Sequence, residues 1–340
     1  QSTIGKEQVD AMRIHTHLKY IQTALQQTQE FKYIKSAGQY FPVDFVIDIR
    51  RDLKLLGIPG AQLVGEQWLL VRKLADHTSQ VFKWFDAERQ SAYGALYEIV
   101  RDTYYEKCII EMIDVVVDER GSVKDNASED LAMIRMQLYK KRQELRRIFE
   151  KVVSRLAKSG YTADIDESFS NGRRVVAVFS EYKRQVKGFL HGESDSRKTA
   201  FIEPEETIEL NNELYSLEQE ELKEVQRVLR QLTAQLSPYS SLLLNYLHII
   251  GQFDFVKAKA MLAIDMNAQL PMVNNLATSH LIDAYHPLLY IYNKSSGKKT
   301  IPVNIQLDDN TRILIISGPN AGGKTVSMKT LGLNQVMLQS

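Results

Sequence analysis

The chain has 340 residues, a length for about two domains, and is 44% hydrophobic and 25% charged, an ordinary globular composition. Lys and Arg total 43 against 42 Asp and Glu, which excludes a chain-wide attraction to nucleic acid or membrane and leaves only local patches to grip a polyanion. The single cysteine, Cys108, excludes an internal disulfide and fits a reducing cytosol, and no apolar run approaches the roughly 20 residues of a bilayer span.

Residues 1–10 are polar and lack the apolar centre of a signal peptide. The chain begins at Gln1 rather than Met and ends shortly after a helix begins, so it is expected to be a piece of a longer protein. Over residues 1–115, apolar residues recur at helical spacing, as in Ile14, Leu18, Ile21 and Leu25. Breaks fall near Gly38, Gly57-Ile58-Pro59-Gly60 and Gly94. His15 and His17 are two apart, the wrong spacing for one helical face, and read as surface histidines rather than metal ligands. Residues 115–125 read as a short strand and a turn at Gly121.

A long helix is then expected, with Asn126 and Glu129 as a capping box and an end near Gly160. Leu131, Ile134, Leu138, Leu145, Ile148 and Val152 follow a 3-4 alternation, interrupted by Lys141. A second long helix starts near Glu203, with Pro204 suited to its first position, and Pro238 ends it. Leu210, Leu214, Leu217, Val225, Val228 and Leu232 carry the same spacing. The simplest arrangement is an antiparallel pair, each helix reaching about 45 Å at roughly 1.5 Å per residue. Two ordinary core helices are the competing reading.

The segment 161–203 changes character. Strands are expected at 173–179, 186–190 and 199–202, with turns at Asn171-Gly172, Gly188 and Gly192. Within 171–198 the basic residues are Arg173, Arg174, Lys183, Arg184, Lys187, Arg197 and Lys198, against the acids Glu181, Glu193 and Asp195. Such a patch can grip phosphates with salt-sensitive affinity, or it can be a solvated face. A further apolar helix is expected over 240–267, and strands and loops follow Pro271.

The chemistry is concentrated near the carboxyl end. Ile313-Leu314-Ile315-Ile316-Ser317 reads as a strand buried on both faces. It runs into Gly318-Pro319-Asn320-Ala321-Gly322-Gly323-Lys324-Thr325, which fits the phosphate-loop pattern of Gly, four residues, then Gly-Lys-Ser/Thr. Glycines let backbone N–H groups turn toward a phosphate, Lys324 is the catalytic cation, and the Thr325 hydroxyl is a Mg²⁺ ligand. The helix from Lys324 aims its positive end at the phosphates. ATP with Mg²⁺ is the expected cofactor and ATPase the expected class. Residues 326–340 hold no Asp or Glu to place Mg²⁺ and water, so efficient hydrolysis by this chain alone is not expected.

With Asn320 third, the loop resembles that of the MutS family of DNA-clamping ATPases. His286-Pro287-Leu288-Leu289 resembles that family's entry into its ATPase domain, and Lys299-Thr300-Ile301-Pro302-Val303-Asn304-Ile305 resembles its adenine-contacting segment. Ile301 matches the base-contacting position, and Thr300 departs from the pattern. Asn171-Gly172-Arg173-Arg174-Val175-Val176, Glu181-Tyr182-Lys183, Gly188-Phe189-Leu190-His191, Phe201-Ile202-Glu203-Pro204 and Glu209-Leu210-Asn211-Asn212-Glu213-Leu214 resemble the second bacterial branch. These motifs cover most of residues 115–340. Phe201-Ile202-Glu203 also echoes the Phe-x-Glu of mismatch readers, in the wrong context, and is taken as coincidence.

The resemblance implies a mainly α fold with an α/β part. Residues 1–125 would form a helical core, and 126–160 with 204–267 the lever helices and their return to it. Residues 161–203 would form a β-rich clamp tip and 268–340 the beginning of a P-loop ATPase domain. It implies a homodimer through the ATPase heads, in the cytoplasm, that binds branched DNA or recombination intermediates and suppresses recombination rather than reading mismatches. The alternative is a ribosome-acting ATPase that splits collided ribosomes. The branch usually carries a C-terminal Smr nuclease domain, expected beyond these residues. A chromosome-organising coiled-coil ATPase is disfavoured, since its arms run to hundreds of residues.

Overall fold

The computed structural model describes residues 2–44, 46–163, 168–170, 172–319 and 322–340. Seven helices come first: α1 (Thr3–Asp10), α2 (Leu18–Ser36), α3 (Arg50–Leu56), α4 (Gly65–Trp84), α5 (Ala87–Ala92), α6 (Gly94–Arg101) and α7 (Cys108–Val116). A long helix, α8 (Glu129–Lys158), leads into strands β1 (Ser168–Ser170), β2 (Arg173–Phe179), β3 (Gly188–Glu193) and β4 (Thr199–Pro204). Then come α9 (Glu205–Leu236), α10 (Ser240–Asp265), β5 (Ser279–Ala284), α11 (Pro287–Ser295), β6 (Val303–Leu307) and α12 (Lys324–Leu338). The fold is mainly α with an α/β part. It divides into two compact units, one of Gln1–Gly57, Leu70–Ile110 and Pro238–Ser340, the other of Ile58–Leu69 and Glu111–Ser237.

The first unit is organised around α10, whose Leu243, Tyr246, Leu247, Ile250 and Phe253 are buried, with α1, α2, α3 and α6 packed against it. Its centre is aromatic: the Phe41 ring lies 5.0 Å from Phe253 and 4.7 Å from Trp84. Buried Glu30 accepts from the backbone N–H groups of Leu96 at 2.9 Å and Ala95 at 3.2 Å. A carboxylate thus sits at the start of α6, where the helix dipole favours negative charge. Ile21 is buried as its spacing predicts. Ile14 is not on the same stripe: α2 begins only at Leu18, and Ile14 precedes it exposed.

In the α/β part, β5 and β6 pair antiparallel from Ser279 opposite Leu307 to Ala284 opposite Val303. His286 caps α11, its Nδ1 accepting from Leu289 N–H at 3.4 Å, and Pro287 takes the first helical position. The expected strand at 313–317 is absent. Ile313 is 80% and Ile315 85% exposed, and no ladder bonds form. A doubly buried strand needs partners on both edges and layers over both faces. Among the described residues of this part, β5 and β6 pair only with each other.

The second unit is a two-helix arm carrying a sheet. Helices α8 and α9 run antiparallel, since Arg135 pairs with Glu221, Lys141 with Glu213 and Arg155 with Glu206. Leu138 and Leu145 pack on Leu210 and Leu214, flanked by Ile134, Ile148 and Leu217, so the 3-4 alternation faces the partner helix. Lys141, which interrupts the apolar stripe, reaches Glu213 at 2.6 Å. The cap of α8 is Ser128 rather than Asn126. Its hydroxyl accepts from Leu131 N–H at 3.0 Å and donates to Glu224 at 2.6 Å, while Asn126 lies in a preceding 3-10 turn. Pro204 is the cap residue of α9, one place before the position expected for it.

The expected strand at 115–117 is mostly the end of α7, leaving one bridge between Val117 and Val123 across the turn at Gly121. Gly121 and Gly65 are required by close approach: a Cβ on Gly65 would fall 1.7 Å from the Gly121 oxygen. The sheet order is β1-β2-β4-β3, all antiparallel. β2 lies as predicted, whereas β3 begins two residues later than expected and β4 runs on to Pro204. Val176, Val178, Ala200 and Ile202 bury one sheet face on Phe149, Val152 and Leu156 of α8. The end of α8 therefore fixes the sheet.

Candidate functional site

Before α12, Gly318-Pro319 and Gly322–Lys324 fold back on one another as a hook. Gly318 (φ 148°) and Gly323 (φ 84°) both adopt positive φ, which L side chains resist, and Gly323 is the cap residue of α12. Gly322 N–H donates to the Pro319 carbonyl at 2.9 Å, and a Cβ at Gly322 would lie 3.1 Å from that oxygen and 3.3 Å from the proline ring. Lys324 Nζ donates to the Gly318 carbonyl at 2.5 Å, which draws the two ends of the loop together. Thr325 is exposed in the first turn of α12. Asn320 and Ala321 lie outside the described residues. Ile301 precedes β6 and is 83% exposed.

This local chemistry fits a polyphosphate. The first N–H groups of a helix have no internal acceptor, and the dipole there favours an anion. The Lys324 ammonium turns into the loop and now satisfies itself on a carbonyl, a bond that a stronger anionic acceptor would displace. Glycine at 318, 322 and 323 keeps side chains out of the hook.

At the tip, the seven predicted cations separate into two groups. Arg173 is committed inward: its guanidinium donates to Glu203 at 2.9 Å and 3.2 Å and to Asn212 at 2.6 Å. Arg174 lies over the rings of Phe149 (5.9 Å) and Phe169 (5.6 Å). Lys183 pairs with Glu193 at 2.6 Å and holds that carboxyl below its ordinary range. Arg184, Lys187, Arg197 and Lys198 are exposed and carry no ion pair among the described residues. Of the basic patch, four exposed cations without an ion pair thus remain among the described residues.

Sequence reasoning missed Glu203 as the centre of a buried network. It is 1% exposed and accepts from Arg173, from Asn211 at 2.8 Å and from His191 at 2.7 Å. Burial raises its carboxyl pKa, but the hydrogen bonds of His191, Asn211 and Arg173 outweigh that, and the net shift is downward. So enclosed, Glu203 cannot read a base, which disposes of the Phe-x-Glu echo. Exposed Phe179, Phe189 and Leu190 were also unassigned.

No family model matches the chain. Curated proteins match it along its whole length. It is 31% identical over 343 residues to a protein named Endonuclease MutS2 from Leuconostoc mesenteroides, covering 99% of this chain and 42% of that protein. A protein of the same name from Latilactobacillus sakei is 32% identical over 341 residues, covering 100% of this chain and 42% of that protein. One from Geobacillus thermodenitrificans is 31% identical over 342 residues, covering 100% and 43%. The chain spans less than half the length of these relatives.

Proposed function

Because this chain belongs to the MutS2 family, with about 30% identity to its members along the whole of its own length, we propose that it forms part of an ATP-gated nucleic-acid clamp. The observation that carries the nucleotide half is the hook at 318–325, closed by Lys324 onto Gly318 at the N-terminus of α12. Lys324 would hold the β- and γ-phosphates of ATP, the loop N–H groups would cradle them, and the Thr325 hydroxyl would take Mg²⁺. ATP supplies the binding energy that selects one conformation over another. On this reading, the exposed apolar residues Ile313, Leu314 and Ile315 would be covered by partner strands of a whole ATPase domain.

The nucleic-acid half rests on the free cations Arg184, Lys187, Arg197 and Lys198 and on the family itself. Branched DNA is the proposed substrate, with recombination held back, two heads pairing around ATP, and the cytoplasm as the compartment. The endonuclease activity in the relatives' names is placed in the part of those proteins that this chain does not cover. Among the described residues, no helix is long and apolar enough to cross a membrane.

The test is Mg·ATP calorimetry on the chain extended through a whole ATPase domain. Binding is expected, and Lys324→Ala should weaken it about ten- to a hundredfold, the worth of charge-assisted contacts to phosphate. Equal heats from the two proteins would sink the nucleotide half. Co-sedimentation with ribosomes at physiological salt, without retention of branched DNA, would sink the DNA half.

A further inference from the structure

We propose that the outer face of α8 is a track for the backbone of duplex DNA, continuous with the basic tip. The proposal rests on the nucleic-acid reading above and adds a surface to it. Lys140, Arg147, Lys151 and Lys158 are exposed, follow helical spacings of seven, four and seven residues, and have no ion-pair partner among the described residues. They lie on the side of α8 opposite Leu138, Leu145, Phe149 and Leu156, the residues buried against α9 and the sheet. At 1.5 Å per residue the row extends about 27 Å. Arg147, Lys151, Ser154, Arg155 and Lys158 cluster on one open surface of α8, together with the single acid Glu150, which Arg146 holds at 2.9 Å.

The acids on α8 do not cancel this row. Asp130 lies near the start of α8, 4.0 Å from Arg227, and Glu144, which shares the face of Lys140 and Lys151, has its carboxylate 3.5 Å from the Lys141 ammonium. The end of α8 that carries this cluster adjoins the tip, since Phe149, Val152 and Leu156 pack on its sheet. Arg155 pairs with Glu206 at the start of α9 at 2.5 Å, and the Lys187 carbonyl accepts from the neighbouring Glu205 N–H at 3.2 Å, which puts Lys187 beside the same end of the arm.

The row fits a phosphodiester backbone. Four flexible cations along one face of a helix, with one hydroxyl, offer a line of charge and no base-reading group, the signature of sequence-neutral contact. A second copy of the arm fits less well. The acids of α9 are occupied across the pair, as with Glu206, Glu213, Glu218 and Glu221, and its outer face mixes Glu205 and Glu209 with Asn212 and Ser216. Straight, uninterrupted α8 suits a duplex more than a looped single strand.

The experiment measures anisotropy of a labelled 30-base-pair DNA duplex with the 340-residue chain between 50 and 200 mM salt. Two variants are compared: Arg147→Gln/Lys151→Gln/Lys158→Gln on the arm, and Arg184→Gln/Lys187→Gln/Arg197→Gln/Lys198→Gln at the tip. Every substituted residue is exposed, and circular dichroism checks the fold. Each lost phosphate contact lowers the slope of log K against log salt by about 0.9, so the arm variant should lose about 2.7. Across that salt range the unchanged chain should then weaken about fortyfold more than the arm variant. An arm variant with unchanged slope beside a weakened tip variant confines binding to the tip and overturns the track. Unchanged slopes in both variants overturn the nucleic-acid reading itself. Tighter, arm-dependent binding of an RNA duplex of equal length overturns the choice of DNA.

Discussion

Glu203 illustrates how much one side chain can hold in place. It is 1% exposed, and three side chains from β2, β3 and α9 donate to it: Arg173, His191 and Asn211. Removing one partner of a buried charge leaves the others unpaired in a poor solvent, which costs about 3–5 kcal/mol. Glu203→Ala should therefore destabilise the tip by that amount in chemical denaturation, whereas a loss under 1 kcal/mol would show that water replaces the carboxylate. The pH dependence has a definite sign. The carboxyl is held below its ordinary value of 4.5, so its stabilisation is complete above that pH and is lost as pH falls through the lower, folded value. Thermal unfolding followed from pH 7 to pH 3 should show a Tm drop in the unchanged protein that shrinks in Glu203→Ala.

The arm is the element in which sequence and structure agree most closely, because its period is local. Residues three and four apart meet on one helical face, and a run of Leu at that spacing needs nothing distant to be read. Leu145 is 5% exposed between Leu138, Leu210 and Leu214. Leu145→Ala should cost about 2–5 kcal/mol, as a buried deletion that leaves a cavity. A smaller effect in urea unfolding would mean that the pair closes over the gap. What the sequence hid is non-local. The charge count at the tip treated Arg173 as free, although its partner Glu203 lies thirty residues on in the neighbouring region of the sheet. The strand at 313–317 was legible as a pattern, but pattern alone does not bring a ladder partner, and the run stays exposed. The loop pattern at 318–325 was legible as spelling, because its glycines and the lysine at the helix start are close in sequence, and the structure gives Gly318 and Gly323 positive φ and starts α12 at Lys324. The basic row on α8 escaped notice because polar positions were read only as the reverse of the apolar stripe.

At the scale of the molecule, near-neutral net charge conceals a polar division of labour. The glycine-rich loop proposed to hold the nucleotide belongs to the unit holding Pro238–Ser340, and the exposed tip cations to the unit holding Glu111–Ser237. A gate that joins them is a statement about free energy and has a reciprocal form. If Mg·ATP changes DNA affinity by some factor, DNA must change ATP affinity by the same factor, and couplings of this kind run to about 5–150-fold. A ligand that binds both states equally shifts nothing, however tightly it binds. In a protein that carries the whole ATPase domain, DNA titrations with and without saturating Mg·ATP should differ by a factor that ATP titrations with and without DNA repeat. Lys324→Ala should abolish that factor while leaving the DNA salt slope intact, since the proposal assigns the DNA phosphates to the tip and arm and not to the loop. The arm variant should do the opposite, weakening DNA without altering ATP affinity in its absence. A coupling factor of one in the unchanged protein would leave a nucleotide-binding protein and a DNA-binding protein in one chain, with no gate between them.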